Sequence, residues 1–535
     1  TVLETIRTVS DLPIILLILG CLLLLIEVAR IIAEVQVKKV LRVQIENLKK
    51  RGIQVDYANV QIGLFNRSVV LSQINVSALN EKNSVFHATI KKINLVNIDI
   101  KKVLFLDHLD IRKLNISGVE VETHAKYKLK TYNKPEDEKS KLRSIKIHNI
   151  VFDNIEWRRW DANDSLGMIT NLNKLMIDGF RIDSLQKKPL KYEFEGLSSA
   201  DIAMKMDKGK HKVTIQKAHY DESKQDLLLD SISVIPQYSK ADFPTYFDHQ
   251  VDRITAYSKS IHLLGLTLWD QNSMYLRARK LLMDFQLEVY RDKINPNKKT
   301  TLSELPTDIL KKFKVFFNID TLEVNNSFVA YEELNKKERD PGRIFFSNLN
   351  INANDFTNDT SKLLNILNVK ARFMDKGLMD VQFTFPFNNI EKYKASGHIA
   401  PFQLTELNSI LKSAVLIEVK SGLLDTLSFQ FTYDDKLATG RVNFSYKELK
   451  VNAFKPKNPD KVAIFKTIAI NQLIKINKVI NADLTGKINY PRSPMKSVFS
   501  YWWKSLLSGL KAAFIKDGNL RPNRRATNSP LPAFD

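Results

Sequence analysis

Leu109-Asp110-Ile111-Arg112-Lys113-Leu114-Asn115-Ile116-Ser117-Gly118-Val119-Glu120-Val121 decides how this chain folds. Its apolar residues, Leu109, Ile111, Leu114, Ile116, Val119 and Val121, advance by two, three, two, three and two. At ~100° per residue these positions scatter round a cylinder, so no amphipathic helix results. In a strand, residues two apart share a face. A step of three reverses the face, and a bulge or tight bend must restore it. The gaps hold Arg112-Lys113 and Ser117-Gly118, which suit a bend. β-Branched residues dominate the stripe, as strands prefer.

The same spacing recurs on either side. It runs through Ala88, Ile90, Ile93, Leu95, Ile98 and Ile100, and again through Ile145, Ile147, Ile150, Phe152, Ile155 and Trp157. A further copy is Leu172, Leu175, Ile177, Phe180 and Ile182, with Thr170 in the first slot. Shorter copies are Val69, Leu71, Ile74, Val76, Leu79 and Ile344, Phe346, Leu349, Ile351. Here too polar residues or Gly fill the gaps, as in His148-Asn149 and Asp178-Gly179. Repetition of this kind implies a sheet that grows by adding similar rungs. Its apolar face must be shielded from water. A second sheet could do so, giving a sandwich or barrel. A curled sheet could instead hold an apolar ligand in its groove. The groove candidates are Ile90, Leu95, Ile111, Ile116, Val121, Ile147, Phe152, Ile177 and Phe346.

Residues 12–26, LPIILLILGCLLLLI, carry no charge. Spanning a bilayer takes about 20 residues, and snorkelling by Glu27 and Arg30 extends the run through Ala33 to that length. No small-x-small site follows, so the run reads as an N-terminal transmembrane helix rather than a cleaved leader. Leu16, Leu19 and Leu23 are its expected membrane contacts. Arg30, Lys38, Lys39 and Arg42 follow it, which by the positive-inside rule places the body in the cytoplasm; long domains translocate regardless of charge. Residues 30–50 read as an amphipathic stalk.

Lys and Arg number 81 against 59 Asp and Glu, a net charge of +22. That favours anionic partners such as phospholipid headgroups. The basic residues are scattered, with no dense block, so no nucleic acid is expected. The one cysteine, Cys21, lies in the apolar run, which leaves no disulfide and no thiolate metal site in the body. The nine histidines are spread singly, and the sequence has no HExxH, P-loop, GxGxxG or GxSxG. An enzyme is therefore not expected, nor a cofactor or metal. Glu332-Glu333 and Asp434-Asp435 read as solvated strand ends. Trp157-Arg158-Arg159-Trp160 reads as surface cation–π stacking or a headgroup contact.

The order of these segments resembles the AsmA-like superfamily of Gram-negative envelope proteins, including its translocation-module relatives. The resemblance rests on the N-terminal apolar run, then Gly52-Ile53-Gln54-Val55-Asp56-Tyr57, Val69-Val70-Leu71-Ser72-Gln73-Ile74-Asn75-Val76 and the rung from Leu109. Later, Ser421-Gly422-Leu423-Leu424-Asp425-Thr426-Leu427-Ser428-Phe429 leads into Gly440-Arg441-Val442-Asn443-Phe444-Ser445-Tyr446, like the paired rungs of that family's C-terminal region. It covers about residues 12–515. It implies an inner-membrane anchor, a long β-groove in the periplasm, and a role in binding or moving phospholipid or in outer-membrane assembly. The chain is short for a bridge across the whole periplasm, which favours a partner, such as an outer-membrane or envelope-complex protein, an oligomer or an adaptor role. The alternative is a structural scaffold of an assembly or secretion complex.

The expected fold is thus mainly β. Residues 1–50 are anchor and stalk, 51–290 an elongated, curled, groove-like sheet, and 302–490 a second β region. A boundary falls in the polar stretch 291–302. Short helices are expected at 301–313 and 404–411, and a longer one at 462–480. At 494–516 the expected element is an amphipathic helix. Phe499, Trp502, Trp503, Leu506, Leu510 and Phe514 form its apolar side, and Lys504, Ser505, Ser508 and Lys511 its polar side. Trp502 and Trp503 beside lysines suit a membrane interface; a helix covering the sheet end is the competing role. Residues 517–535, with three prolines and three arginines, are expected to be disordered.

Overall fold

The computed structural model describes residues 12–50, 52–80, 83–125, 142–185, 191–206, 210–270, 274–296, 302–313, 315–334, 341–387, 391–415, 417–455, 458–462 and 484–516. The expected helix at 462–480 and the tail 517–535 lie outside these residues. The chain divides into two compact units, residues 1–223 and 224–535.

The first unit opens with helix α1 (Leu12–Lys50), 39 residues long. Among the described residues, no helix is long and apolar enough to cross a membrane. The side chains of residues 12–22, with Leu16 and Leu19, lie outside those described, while Leu23 is exposed. Eight strands follow: β1 (Ile53–Gly63), β2 (Ser68–Asn80), β3 (Asn83–Ile98), β4 (His108–His124), β5 (Ser144–Trp160), β6 (Leu166–Ile182), β7 (Gly196–Met206) and β8 (His211–Asp221). All eight lie in one sheet, each beside its predecessor in sequence. Neighbours are antiparallel except β4 and β5, which run parallel. Helix α2 (Ile100–Leu106) joins β3 to β4. Asp99 caps its start by accepting from the Lys102 N–H, and Asp107 ends it in the left-handed region at φ 57°.

The steps of three have a single structural cause. At one level of the sheet every strand gives up one residue from the ladder: Ala58, Gln73, Lys91, Gly118, Asn154, Asn173, Asp201 and Gln216. Gln73, Gly118, Asn154 and Asp201 take positive φ, between 51° and 62°. A second row crosses β3 to β6 at Asn97, Arg112, His148 and Gly179. Because both partners skip a residue at the same level, pairing resumes in register. The step of three then behaves as a step of two, and the apolar stripe stays on one face. Arg112, Gly118, His148 and Gly179 all fall in gaps where the sequence predicts bends.

The second unit pairs β9 (Asp226–Pro236) with β10 (Asp252–Leu264). Next comes a broken strand, β12 (Met274–Met283) and β13 (Gln286–Asp292), both beside β10. The short β11 (Thr267–Asp270) also pairs with β12. Both β12 and β13 run parallel to β14 (Phe316–Leu334). The polar stretch at 291–302 therefore joins paired strands inside one unit, and the division falls at 223/224 rather than at the expected boundary. Helix α3 (Pro306–Lys311) lies in this connection, shorter than the expected 301–313. The ladder continues through β15 (Gly342–Thr357), β16 (Leu364–Phe373), β17 (Gly377–Pro386), β18 (Tyr393–Ile399), β20 (Ile417–Tyr433), β21 (Leu437–Lys455) and β23 (Leu484–Pro491). The two-residue β19 (Phe402–Gln403) pairs with β20, and β22 (Asn458–Val462) with β21. Helix α4 (Asn408–Val415) continues a 3-10 turn at Leu404–Leu407, close to the expected short helix.

Helix α5 (Val498–Lys516) packs on β21 and β23. Beneath it Ala395, Phe431, Tyr433, Val442 and Ile488 are buried with Tyr501. The face it buries differs from the sequence expectation. Tyr501, Ser505, Gly509 and Ala513 are the buried residues, and Ser505, assigned to the polar side, is 0% exposed. Its hydroxyl is satisfied within the helix, donating to the Tyr501 carbonyl at 2.7 Å. Small side chains let the helix backbone come down onto the strands. The bulky residues flank the contact. Trp502 stacks on Phe383 with ring centroids 4.5 Å apart, so its ring faces the sheet rather than a membrane; Trp503 is half-buried.

Candidate functional site

The apolar face of the first sheet is built from cross-strand rows that the register fixes. One row is Ile98, Ile111, Ile147 and Phe180. Another is Leu95, Leu114, Ile150, Ile177 and Leu197. The next is Leu71, Ile93, Ile116, Phe152 and Leu175. Beyond the row of skipped residues come Ile74, Ile90, Val119, Ile155, Leu172, Ile202 and Ile215, then Ala88, Val121, Trp157 and Thr170. Eight of the nine groove candidates therefore share one face. Ile111, Ile147 and Ile150 form a buried cluster, with Leu95, Phe152 and Ile177 packed against it. Ile90, Ile116 and Val121 lie on the same face outside that cluster and are half-buried.

Phe346 is the exception. It belongs to the second unit, where its ring lies 5.4 Å from Phe373 and 6.5 Å from Phe499 of α5. It is part of a closed core there, not of the first sheet's face.

Ile111 is 2% exposed although its strands form a single layer. In a flat layer with nothing above it a side chain would stand in water, so neighbouring side chains must lean over Ile111. Bends along two rows supply that curl. Most of the remaining stripe is only half-buried. The result is a continuous, mainly apolar surface, partly open, whose polar members among the described residues include Thr170.

The opposite face is mostly polar and charged, though Val151 is buried on it. Arg158 pairs with Glu122 at 3.3 Å and with Glu156, so its guanidinium serves a carboxylate ladder. Trp157, on the apolar face, donates to the Thr123 hydroxyl at 2.9 Å, and Trp160 stacks on His124. The aromatic-basic cluster is thus distributed among separate partners. At the β4 start, Asp110 binds Lys102 and lies 3.1 Å from His148 Nε2. Burial is the largest single influence on the Asp110 carboxyl and pushes it up. The Lys102 hydrogen bond and charge, together with His148, outweigh burial and hold it below its ordinary 3.8.

Of the acidic doublets read as solvated, Glu332 is buried, paired with Lys240 and with Arg343 at 3.5 Å. Among the described residues no three His, Cys, Asp or Glu side chains are grouped to hold a metal ion. No family model and no curated protein matches this sequence.

Proposed function

We propose that the first unit binds phospholipid, acyl chains along the apolar face and headgroups at its edge, in a protein anchored by α1 in the inner membrane with its body in the periplasm. One observation carries this: rows of mainly apolar side chains cross the unit on one face of a single-layer sheet, half-buried, with the other face mostly polar and charged. Burial of each CH₂ contributes about 0.8 kcal/mol, so a chain lying on such rows binds without any polar anchor and without covalent chemistry. The uncharged run at residues 12–26 supports the anchor, and the rungs' resemblance to AsmA-like proteins supports the periplasmic side and a role in outer-membrane lipid homeostasis or assembly.

A scaffold of an envelope assembly or secretion complex is the second function to weigh. It draws on the second unit, where α5 covers the apolar face over an aromatic core.

The deciding experiment is native mass spectrometry of the full chain extracted from membranes with a mild detergent. Phospholipid retained by the wild type and lost in Ile116→Asp, with the fold kept, is the expected result. A folded protein carrying no phospholipid overturns the lipid function and leaves the scaffold. Protease protection in spheroplasts tests the side: digestion of the body only after the outer membrane is opened is expected.

A further inference from the structure

One end of the first unit carries large apolar side chains that the fold does not use. Phe65, at the tip of the β1–β2 hairpin, is 85% exposed, and Phe105 in α2 is 80% exposed. Ile100 and Leu106 of α2 are exposed as well. The two elements are neighbours: the N–H groups of Asn97 and Ile98 donate to the carbonyls of Asn66 and Arg67 at 3.2 and 3.1 Å, and α2 starts two residues later. Isolated exposed hydrophobics are ordinary, but a cluster with two nearly bare phenylalanines marks a contact surface.

The charge around it is mixed, with a basic excess. Asp99 and Asp110 lie within ion-pair range of Lys102, and Asp107 of Arg143. Arg67, Lys101 and Lys146 are exposed at the same end and meet no carboxylate among the described residues. Phenylalanine beside unpaired lysine and arginine fits an anionic bilayer surface.

The position of α1 says which bilayer. The chain reverses at Gly52 (φ 78°), whose N–H donates to the Lys49 carbonyl, and α1 packs on β1. A half-buried stripe runs back along the helix through Leu48, Ile45, Leu41, Val37, Ala33 and Arg30, while Leu23, Leu24 and Leu25 are exposed. Twenty helical residues rise about 30 Å, close to the ~36 Å of an eleven-residue strand. Laid back along β1, a helix of this rise brings the turn at Arg30 level with the Phe65 hairpin and carries the apolar start of α1 past it.

We propose that Phe65, Phe105 and Leu106 seat in the interface of the same anionic bilayer that α1 enters, fixing the sheet upright on its surface with the apolar face at hand for lipid. This rests on the anchor assigned to α1 above. The test uses the full chain in a Cys21→Ser background, with Phe105→Cys carrying an environment-sensitive fluorophore and Asp153→Cys on the charged face as control. The protein is reconstituted in vesicles of phosphatidylglycerol and phosphatidylcholine. Expected is a blue shift and brominated-lipid quenching at position 105, none at 153, and a smaller shift in vesicles of phosphatidylcholine alone. Flotation after an alkaline wash reports the anchor separately. Protein that floats with position 105 still in water overturns the docking tip while α1 stands. Protein that is stripped by the wash, yet shifts at 105 before it, supports the tip and removes the anchor. Protein that neither floats nor shifts overturns both.

Discussion

Gly486 of β23 and Gly509 of α5 touch backbone to backbone: a Cβ on Gly486 would overlap the Gly509 carbonyl oxygen. This contact sets how close the helix lies to the sheet. The atoms nearest a Cβ on Gly509 are in side chains, Val442 Cγ1 at 2.6 Å and Ile488 Cγ1 at 2.7 Å. Side chains can turn aside where a carbonyl cannot. Gly486→Ala is therefore expected to destabilise the second unit by about 1–3 kcal/mol, and Gly509→Ala by less. Chemical denaturation followed by tryptophan emission reads both, because Trp502 stacks on Phe383 only while α5 is seated. Equal effects would show that the helix is free to shift.

The apolar face of the first sheet divides into positions that hold the fold and positions that meet a ligand. Ile111 is buried in its cluster, so Ile111→Ala is expected to cost about 2–5 kcal/mol with little specific effect on bound lipid. Ile116 lies on the same face but is half-buried and outside that cluster. Ile116→Asp is expected to keep the unfolding midpoint near that of the wild type while the lipid retained on purification falls. Loss of both in parallel at both positions would mean the face serves the fold alone.

Asp110 makes the first unit sensitive to acid. Its carboxyl is held below the ordinary 3.8 by Lys102 and His148 against the opposing effect of burial. A depressed folded value means that the ion pair's stabilisation is present above the unfolded value and is lost as pH falls through the folded one. Wild type is expected to be more stable than Asp110→Asn at about pH 6, with the gap closing toward about pH 3. Denaturation midpoints for the two proteins across that range check it; a gap that widens on acidification reverses the sign and removes the argument.

The sheet of the first unit was legible because one spacing carried it. Steps of two and three in Leu109 to Val121 contain both the strand and its bends, and the skipped residues Arg112 and Gly118 sit in the gaps that spacing marks. The face of eight groove candidates followed from the same parity. Phe346 misled because a short copy of the spacing sits in a strand whose partner layer, α5, is more than 140 residues away in sequence. The orientation of α5 was misread because hydrophobicity ranks Trp503 above Ser505, whereas close packing on Gly486 selects for size. Phe65 and Phe105 stand outside the stripe altogether, and only the fold shows that both stay bare. The division at 223/224 falls in the polar turn Asp221-Glu222-Ser223-Lys224-Gln225-Asp226, which holds no Gly or Pro and reads like any other hairpin turn.

The row of skipped residues makes a prediction at the level of the backbone. Gln73, Asn154 and Asp201 hold φ of 51°, 57° and 53°. That region is easy for Gly, tolerable for Asn and Asp, and strained by roughly 1–2 kcal/mol for other side chains. Gln73 alone in this row has neither advantage. Gln73→Gly should relieve strain, though it also frees the unfolded chain, so the net change is expected to be neutral or slightly stabilising. Gln73→Val adds a β-branch to the same backbone and is expected to destabilise by about 1–2 kcal/mol. At Lys91, skipped at the same level without a positive φ, Val should be tolerated, because extended backbone suits a β-branch. Thermal unfolding of the three variants decides the matter. If Val is as harmful at Lys91 as at Gln73, the bend is set by side-chain packing and not by the left-handed residue, and the link from spacing to curl fails at that step.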